Sequence, residues 1–118
     1  MQKFNYLALL KAIRDCSETD NLKVGVFSKT GQERLGACLE AIESMDSEEQ
    51  DMVLRATKQS SASIIEFRNG SYIKFLPARE EDVRGYAFNR VLYMSNIEKE
   101  ILNCVIRPTE KIRRRWSP

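Results

Sequence analysis

The stretch from Ile64 to Val105 constrains the fold more than any other part of this sequence. It contains two apolar strand patterns around Asn69-Gly70, then a polar loop, a third apolar run and a helical pattern. Asn-Gly between two strand patterns is a strong hairpin signal, because both residues tolerate the positive φ angles of a type I′ turn. The sequence therefore predicts an antiparallel hairpin of Ser63–Arg68 and Tyr72–Leu76.

Helical and strand patterns alternate along the rest of the chain. Phe4–Arg14 has apolar residues at helical spacing, and Leu22–Ser28 is a nearly continuous apolar run, typical of a strand in a parallel sheet covered on both faces. Thr30 and Glu33 match a capping box, which opens a helix to about Met45. The sequence predicts a three-layer α/β domain, with a short, mostly parallel sheet, helices on both faces and one antiparallel hairpin.

Helix bounds and buried faces follow from the same patterns. Turn-forming residues between Cys16 and Asn21 predict that the first helix ends near Arg14. Ile97–Ile106 has helical spacing, and Pro108 predicts the end of that helix. The core stripe of the helix after Thr30 is predicted to consist of Leu35, Cys38, Leu39, Ile42 and Met45.

Length and composition are those of one globular domain. The chain has 118 residues, of which 42% are hydrophobic and 31% charged. A formal charge of +2 does not by itself indicate a nucleic-acid partner, although basic residues concentrate between Arg107 and Arg115. The sequence therefore predicts a single domain over residues 1–108 and a basic C-terminal tail over residues 109–118.

Cysteine and histidine content restrict the chemistry and the compartment. The chain has no His, which excludes His-dependent general bases and His metal sites. Cys16, Cys38 and Cys104 form no CxxC pair, and we expect buried free thiols in a reducing compartment. No apolar run approaches the roughly 20 residues that span a bilayer. We therefore expect a cytoplasmic protein that has no membrane partner and needs no cofactor or metal.

A nucleotide-binding loop of the Walker A type needs G-x-x-x-x-G-K-[ST], because consecutive backbone amides must wrap the phosphates. The nearest candidate is Gly25–Gly31, but its glycines have the wrong spacing and Lys29 precedes the second glycine. A strand that leads into a capped helix explains this segment better.

Several segments together resemble the large terminases, the ATPases that drive phage DNA packaging. Val24–Gln32 is similar to the strand and helix start that follow Walker A in that family. Ile65–Ile73 resembles their I-x-x-x-N-G-S-x-I hairpin, and Asp82–Asn89 resembles their D-x-x-R-G loop. Arg90–Met94 stands where their Walker B strand belongs. The likeness covers roughly Leu22–Pro108 and implies a P-loop NTPase-like fold that lacks the P-loop.

Two departures from the family concern the catalytic groups. The Walker A strand and loop would precede Phe4, and the Walker B Asp-Glu pair falls at Ser95-Asn96. In the family the Asp holds Mg²⁺ and the Glu orients the attacking water, and the neutral oxygens of Ser and Asn do neither well. The resemblance thus implies a terminase-like protein without ATPase chemistry. Ser95 with Glu98 three residues later also matches a capping box for the next helix.

Arg84 and the basic tail are the remaining candidate sites. The resemblance places Arg84 at an Arg-Gly position from which it acts in trans on a neighbouring subunit's nucleotide, whereas the simpler interpretation is a loop arginine paired with Glu80, Glu81 or Asp82. Basic residues near the C-terminus, with one tryptophan for stacking, are candidates for nucleic-acid binding. These are Arg107, Lys111, Arg113, Arg114, Arg115 and Trp116.

Three functional hypotheses follow. The first is a noncatalytic terminase-like protein of phage or prophage origin that acts as a binding or regulatory partner in DNA packaging, docking on a packaging ATPase, another phage protein or DNA. The second is a fragment of a split terminase ATPase that another polypeptide completes. The third is a small nucleic-acid-binding adaptor.

Overall fold

The computed structural model describes residues 1–111, which form one six-stranded sheet. The strands are β1 (Gln2–Lys3), β2 (Lys23–Ser28), β3 (Val53–Thr57), β4 (Ser63–Phe67), β5 (Tyr72–Pro77) and β6 (Arg90–Tyr93). Their order across the sheet is β1-β6-β2-β5-β4-β3. The four neighbours β1, β6, β2 and β5 pair in parallel, and β4 is antiparallel to both β5 and β3. The predicted α/β class and the mostly parallel sheet are confirmed.

Residues 1–111 contain four α-helices between the strands and a fifth after β6. They are α1 (Tyr6–Glu18), α2 (Gly31–Glu43), α3 (Ser47–Asp51), α4 (Glu80–Val83) and α5 (Lys99–Ile101). A π-helical segment, Leu102–Ile106, and a 3₁₀ turn, Arg107–Thr109, follow α5. Among residues 1–111, no helix is long and apolar enough to cross a membrane.

Hydrophobic clusters lie on both faces of the sheet. Successive strand residues point to opposite faces, and so Val26 packs in the cluster with α1 and α2, whereas Phe27 packs in the other. The second cluster also contains Val83 of α4 and Ile106 of the π-helical segment. The two faces are therefore covered by different parts of the chain, α1 and α2 on one and α4 with the C-terminal segment on the other.

Two predicted helix bounds are wrong. The prediction ended α1 at Arg14, but the helix continues to Glu18, because Cys16 is fully buried in the core and this packing outweighs the turn preference of its neighbours. The single helix predicted over 97–106 is instead a short α5 followed by the π-helical segment. The wider turn shifts the helical register, and Ile106 is the fully buried residue of this segment.

The predicted hairpin is confirmed, with Ile65 directly opposite Ile73. Its turn is not type I′, because only Gly70 has a positive φ, 86°. Gly70 N–H donates to Phe67 O at 3.1 Å and Phe67 N–H donates to Ser71 O at 2.8 Å, the pattern of a three-residue loop that ends in a glycine bulge. Asn69 instead uses its side chain, which donates to Cys16 O at 2.7 Å and ties the hairpin to α1.

Burial on α2 differs from the predicted stripe. Cys38 and Met45 are buried as expected, but Leu39 is 40% exposed and the side that faces the core carries Arg34, Ala37 and Ala41. Small alanines let the helix approach the sheet closely, so the stripe is rotated from the one that large apolar residues indicate.

The predicted burial of the cysteines holds for Cys16 and Cys38, whereas Cys104 is exposed. Burial raises the pKa of the Cys16 thiol to about 12, despite the opposing charge of Arg90. Burial also raises the pKa of Cys38. Both buried cysteines are therefore neutral thiols at physiological pH, unsuited to act as nucleophiles.

Thr109 to Lys111, which the prediction places in the tail, are bonded to the domain. Phe88 N–H donates to Thr109 O and Lys111 N–H donates to Phe88 O, each at 2.7 Å. The carboxylate of Glu110 accepts from Val91 N–H at 3.0 Å.

Candidate functional site

A crevice opens at the carboxyl ends of the parallel strands. The loop after β2 turns toward the face that carries α2, whereas the loops after β5 and β6 turn toward the opposite face. Adjacent loops that leave a sheet in opposite directions separate at its edge, and this is where open α/β sheets bind ligands. The resulting cavity has a volume of about 240 Å³ and is lined by Lys29, Arg34, Pro77, Ala78, Arg79, Ile97, Glu98 and Ile101.

Arg34 is the buried cation of this crevice, with only 8% of its surface exposed. Its Nε donates to Ser60 O at 2.9 Å, and its Nη1 donates to Ser28 O at 3.3 Å and Ser28 Oγ at 3.4 Å. Among residues 1–111, no acceptor is bonded to its Nη2. Burial lowers the pKa of Arg34, and the positive charge of Arg79 lowers it further, although guanidinium remains ionised in proteins. The side chain thus joins the end of β2 to the loop before β4 and presents a charge to the cavity.

The other charged lining residues come from the loops around Arg34. Lys29 and Arg79 are both exposed and follow β2 and β5 respectively. Arg79 Nε contacts Asp82 Oδ2 at 2.7 Å. Glu98 is the acidic lining residue and immediately precedes α5. Three cations and one carboxylate therefore line a single small cavity.

Glu33 fixes the rim of the crevice through the predicted capping box, which is confirmed. Its Oε1 accepts from Thr30 N–H at 3.0 Å, and Thr30 Oγ1 accepts from Glu33 N–H at 3.2 Å. Its Oε2 accepts from Asn96 Nδ2 at 2.9 Å. Burial opposes ionisation of Glu33, but the hydrogen bonds from Thr30, Asn96 and Lys29 together lower its pKa. An ionised Glu33 therefore connects the loop after β2 to the loop after β6.

Ser95 and Asn96 follow the strand β6 as predicted, but they lie in an exposed turn rather than at the start of a helix. The predicted capping box of Ser95 and Glu98 is wrong, since α5 begins at Lys99 and its N-cap, Glu98, makes no side-chain capping bond. Ile97 is buried, and its N–H bonds to Met94 O at 3.3 Å. Burial of Ile97 closes a tight turn after β6 and delays the start of the helix.

Arg84 is an exposed residue just after α4, with its Nη2 3.8 Å from Glu80 Oε1. This contact matches the simpler interpretation of Arg84 as a loop arginine in a surface pair. Arg84 lines a different cavity from the crevice, with Val105 and Thr109 among its neighbours. Arg84 therefore does not line the crevice.

The candidate nucleic-acid-binding residues fall partly within the described chain. Arg107 is exposed and contacts Asn103 Oδ1 at 3.3 Å. Lys111 is exposed near Lys23, the first residue of β2, and so lies at the end of the sheet opposite the crevice. Arg113, Arg114, Arg115 and Trp116 lie outside the described residues.

The sequence prediction did not identify Lys29, Arg34 or Arg79 as site residues. The available signal was the position of Arg34, which lies three and seven residues before Ala37 and Ala41 on the buried side of α2. A charged residue at core-facing helical spacing is rare unless it is paired or binds a ligand. Lys29 and Arg79 carry no such signal, because exposed loop cations are common.

Residues 1–111 contain no group of three or more Cys, Asp or Glu side chains placed to hold a metal ion. In comparisons with protein families, curated proteins and solved structures, no match to this chain was found.

Proposed function

We propose that this chain is a noncatalytic, terminase-like protein that acts as a binding partner in phage DNA packaging. The fold behind this proposal is P-loop NTPase-like without the P-loop, and docking on a packaging ATPase involves the exposed Arg84. The proposal rests on the order of the terminase-like segments and on the chemistry at the end of β6.

The single observation that supports it most is the environment of Ser95 and Asn96. Both lie at the carboxyl end of a buried parallel strand, where the family carries its metal-binding and water-activating carboxylates. The side-chain amide of Asn96 donates a hydrogen bond to the carboxylate of Glu33, which also accepts from Thr30 N–H at the start of α2. This arrangement offers a turn stabilised by hydrogen bonds rather than a metal site, which favours binding over phosphoryl transfer.

The test combines turnover and docking. We expect the purified chain to release phosphate from Mg-ATP no faster than Mg-ATP releases it in buffer without protein. We expect binding to a terminase ATPase with an intact Walker A to weaken roughly fivefold or more in Arg84→Ala, because charged interface anchors typically contribute over 1 kcal/mol. Arg55→Ala is the matched control, since Arg55 is likewise an exposed arginine in a surface ion pair, with Glu66.

Three outcomes would contradict this proposal. ATP turnover by the chain alone that Arg84→Ala abolishes would show a catalytic protein. Turnover that appears only when a Walker A-bearing fragment is added would support a split terminase. Salt-dependent DNA binding that is lost on neutralising Arg113, Arg114 and Arg115, without any docking on an ATPase, would support the nucleic-acid adaptor.

A further inference from the structure

The crevice concentrates positive charge at one point of the fold. Lys29, Arg34 and Arg79 come from the loop after β2, from α2 and from the loop after β5. Like charges repel, and burying an arginine costs free energy unless its charge is compensated. Arg34 forms no ion pair with a carboxylate of residues 1–111, and the hydrogen bonds on its Nε and Nη1 leave Nη2 without an acceptor there. Nη2 is not among the fully buried atoms that lack a partner, so it is open to the cavity, where an anion would accept a hydrogen bond from it.

We propose that this crevice binds the phosphate group of a phosphomonoester, or inorganic phosphate, through Arg34, Arg79 and Lys29 and without a metal ion. Guanidinium groups match the oxygens of phosphate with parallel hydrogen bonds, and an ammonium adds a point charge. Asp82 occupies only Nε of Arg79, and the terminal nitrogens of that guanidinium have no acceptor among residues 1–111. The proposal does not depend on the packaging role proposed above.

The number of donor groups favours phosphate over a carboxylate as the occupant. The lining carries three cations and Glu98, but Asp82 pairs with Arg79 at 2.7 Å and the ionised Glu33 lies on the rim, so the carboxylates around the cavity balance much of its positive charge. A phosphate group offers three acceptor oxygens to the three cations, whereas a carboxylate offers two. Burial and then Arg79 lower the pKa of Arg34, and the charges of Asp82 and Glu33 oppose that lowering.

The size and walls of the cavity define how the ligand sits. Its volume of about 240 Å³ is below the roughly 300–1,000 Å³ of pockets that enclose a drug-sized molecule. Pro77, Ala78, Ile97 and Ile101 form an apolar wall beside the cations. A phosphate group therefore fits inside, and the remainder of a larger phosphomonoester lies across this wall and outside the cavity.

The experiment is a titration of the whole chain in EDTA at constant ionic strength. Binding is measured by calorimetry and by the NMR signals of the arginine Nε–H groups. The probes are inorganic phosphate, adenosine 5′-monophosphate and adenosine. We expect saturable binding of the first two, a selective shift of the Arg34 signal and no binding of adenosine. Tighter binding of the nucleotide than of phosphate would identify a phosphomonoester as the ligand, and equal binding would identify free phosphate.

Variants separate a built site from general attraction of anions. Arg79→Gln and Lys29→Gln should each weaken phosphate binding roughly threefold or more, because each removes one exposed positive charge of the protein that would contact the ligand. Lys23→Gln is the matched control, since Lys23 is an exposed lysine at the opposite end of β2, and it should leave binding unchanged. Arg34→Lys should also weaken binding, and its folding is checked separately because Arg34 holds Ser28 and Ser60.

The proposal is overturned if neither phosphate probe binds, if binding requires Mg²⁺, or if Lys23→Gln weakens binding as much as Arg79→Gln does. None of these measurements involves ATP turnover or a packaging ATPase. Failure of the phosphate site and failure of the proposed packaging role are therefore distinguishable.

Discussion

Glu33 is a single residue that takes part both in a local capping motif and in a contact between distant segments of the chain. Three hydrogen bonds to Oε1, from Lys29 N–H and from the N–H and Oγ1 of Thr30, belong to the start of α2. A fourth, from Asn96, joins residues 63 positions apart in the chain. The same carboxylate therefore starts a helix and fixes the distance between two loops of the crevice.

The charge of Glu33 should stabilise the fold only where it is ionised. Its pKa is lowered from 4.5 in the folded chain, so its contribution is present above about pH 4.5 and is lost as the pH falls through the folded value. Glu33→Gln keeps an acceptor but removes the charge at the helix N-terminus. We expect it to lower the free energy of unfolding at pH 7 by about 0.3–1 kcal/mol in urea titrations, with the difference shrinking as the pH falls below about 4.5.

Glu43→Gln is the matched control, because it removes an exposed carboxylate from the last residue of the same helix. It should change the free energy of unfolding by less than about 0.5 kcal/mol. A loss for Glu33→Gln that does not shrink anywhere in the acid range where the chain stays folded would contradict the role of its charge.

At the scale of elements, backbone geometry explains where the hairpin departs from its prediction. The Asn-Gly dipeptide favours a type I′ turn, which needs a positive φ at both residues. Asn69 instead bonds its side chain to Cys16 O, and also accepts from Ser71 N–H at 3.0 Å, which leaves the left-handed conformation to Gly70 alone. The contact with α1 thus selected one turn among those that the dipeptide permits.

Two glycines provide a test of this geometry. Gly70 has a φ of 86°, and an added Cβ would collide with Asn21 Oδ1. Gly36 lies within α2 with nothing inside 4 Å of an added Cβ. Thermal or urea unfolding should show Gly70→Ala destabilised by about 1 kcal/mol or more and Gly36→Ala stabilised by about 0.5–1 kcal/mol. Stabilisation by both substitutions would mean that residue 70 does not require glycine.

At the scale of the whole molecule, Phe88 joins the sheet to the C-terminal segment. Its ring packs edge-on against Phe27 and stacks on Tyr86, with centroid distances of 5.8 and 5.4 Å. A Cβ on Gly25 would come within 2.7 Å of the same ring, so the absence of a side chain in β2 makes room for it. Backbone bonds to Thr109 and Lys111 hold the other side of Phe88.

Removal of this ring should loosen the second hydrophobic cluster as a unit. Phe88→Ala is expected to lower the free energy of unfolding by about 3–5 kcal/mol, a large part of the 5–15 kcal/mol typical of a domain. Urea unfolding measures the loss, and hydrogen exchange should report it in β6 and the 102–111 segment. Leu7→Ala is the control, because Leu7 is 75% exposed and its loss should cost less than about 0.5 kcal/mol. A small effect of Phe88→Ala would show that the C-terminal segment does not close this core.

The sequence by itself determined those local structures that depend on residues close together in the chain. The capping box of Thr30 and Glu33, the hairpin around Gly70 and the buried runs of β2 and β6 all depend on backbone preferences within a few positions. These signals were sufficient for the α/β class and for the strand that leads to Ser95. They could not show that Gln2–Lys3 pairs with β6, because the paired residues, such as Gln2 and Leu92, are far apart in the chain.

The crevice, in contrast, is a product of strand order. Placing β2 between β5 and β6 brings Lys29, Arg34 and Arg79 to one cavity and draws Asn96 to Glu33. Apart from Arg34, whose place on the buried side of α2 is unusual, these side chains look ordinary among their sequence neighbours, and their local bonds do not show that they share one site. Their proximity arises because distant segments must share one sheet to bury their apolar faces, and that requirement is satisfied only by the folded chain as a whole.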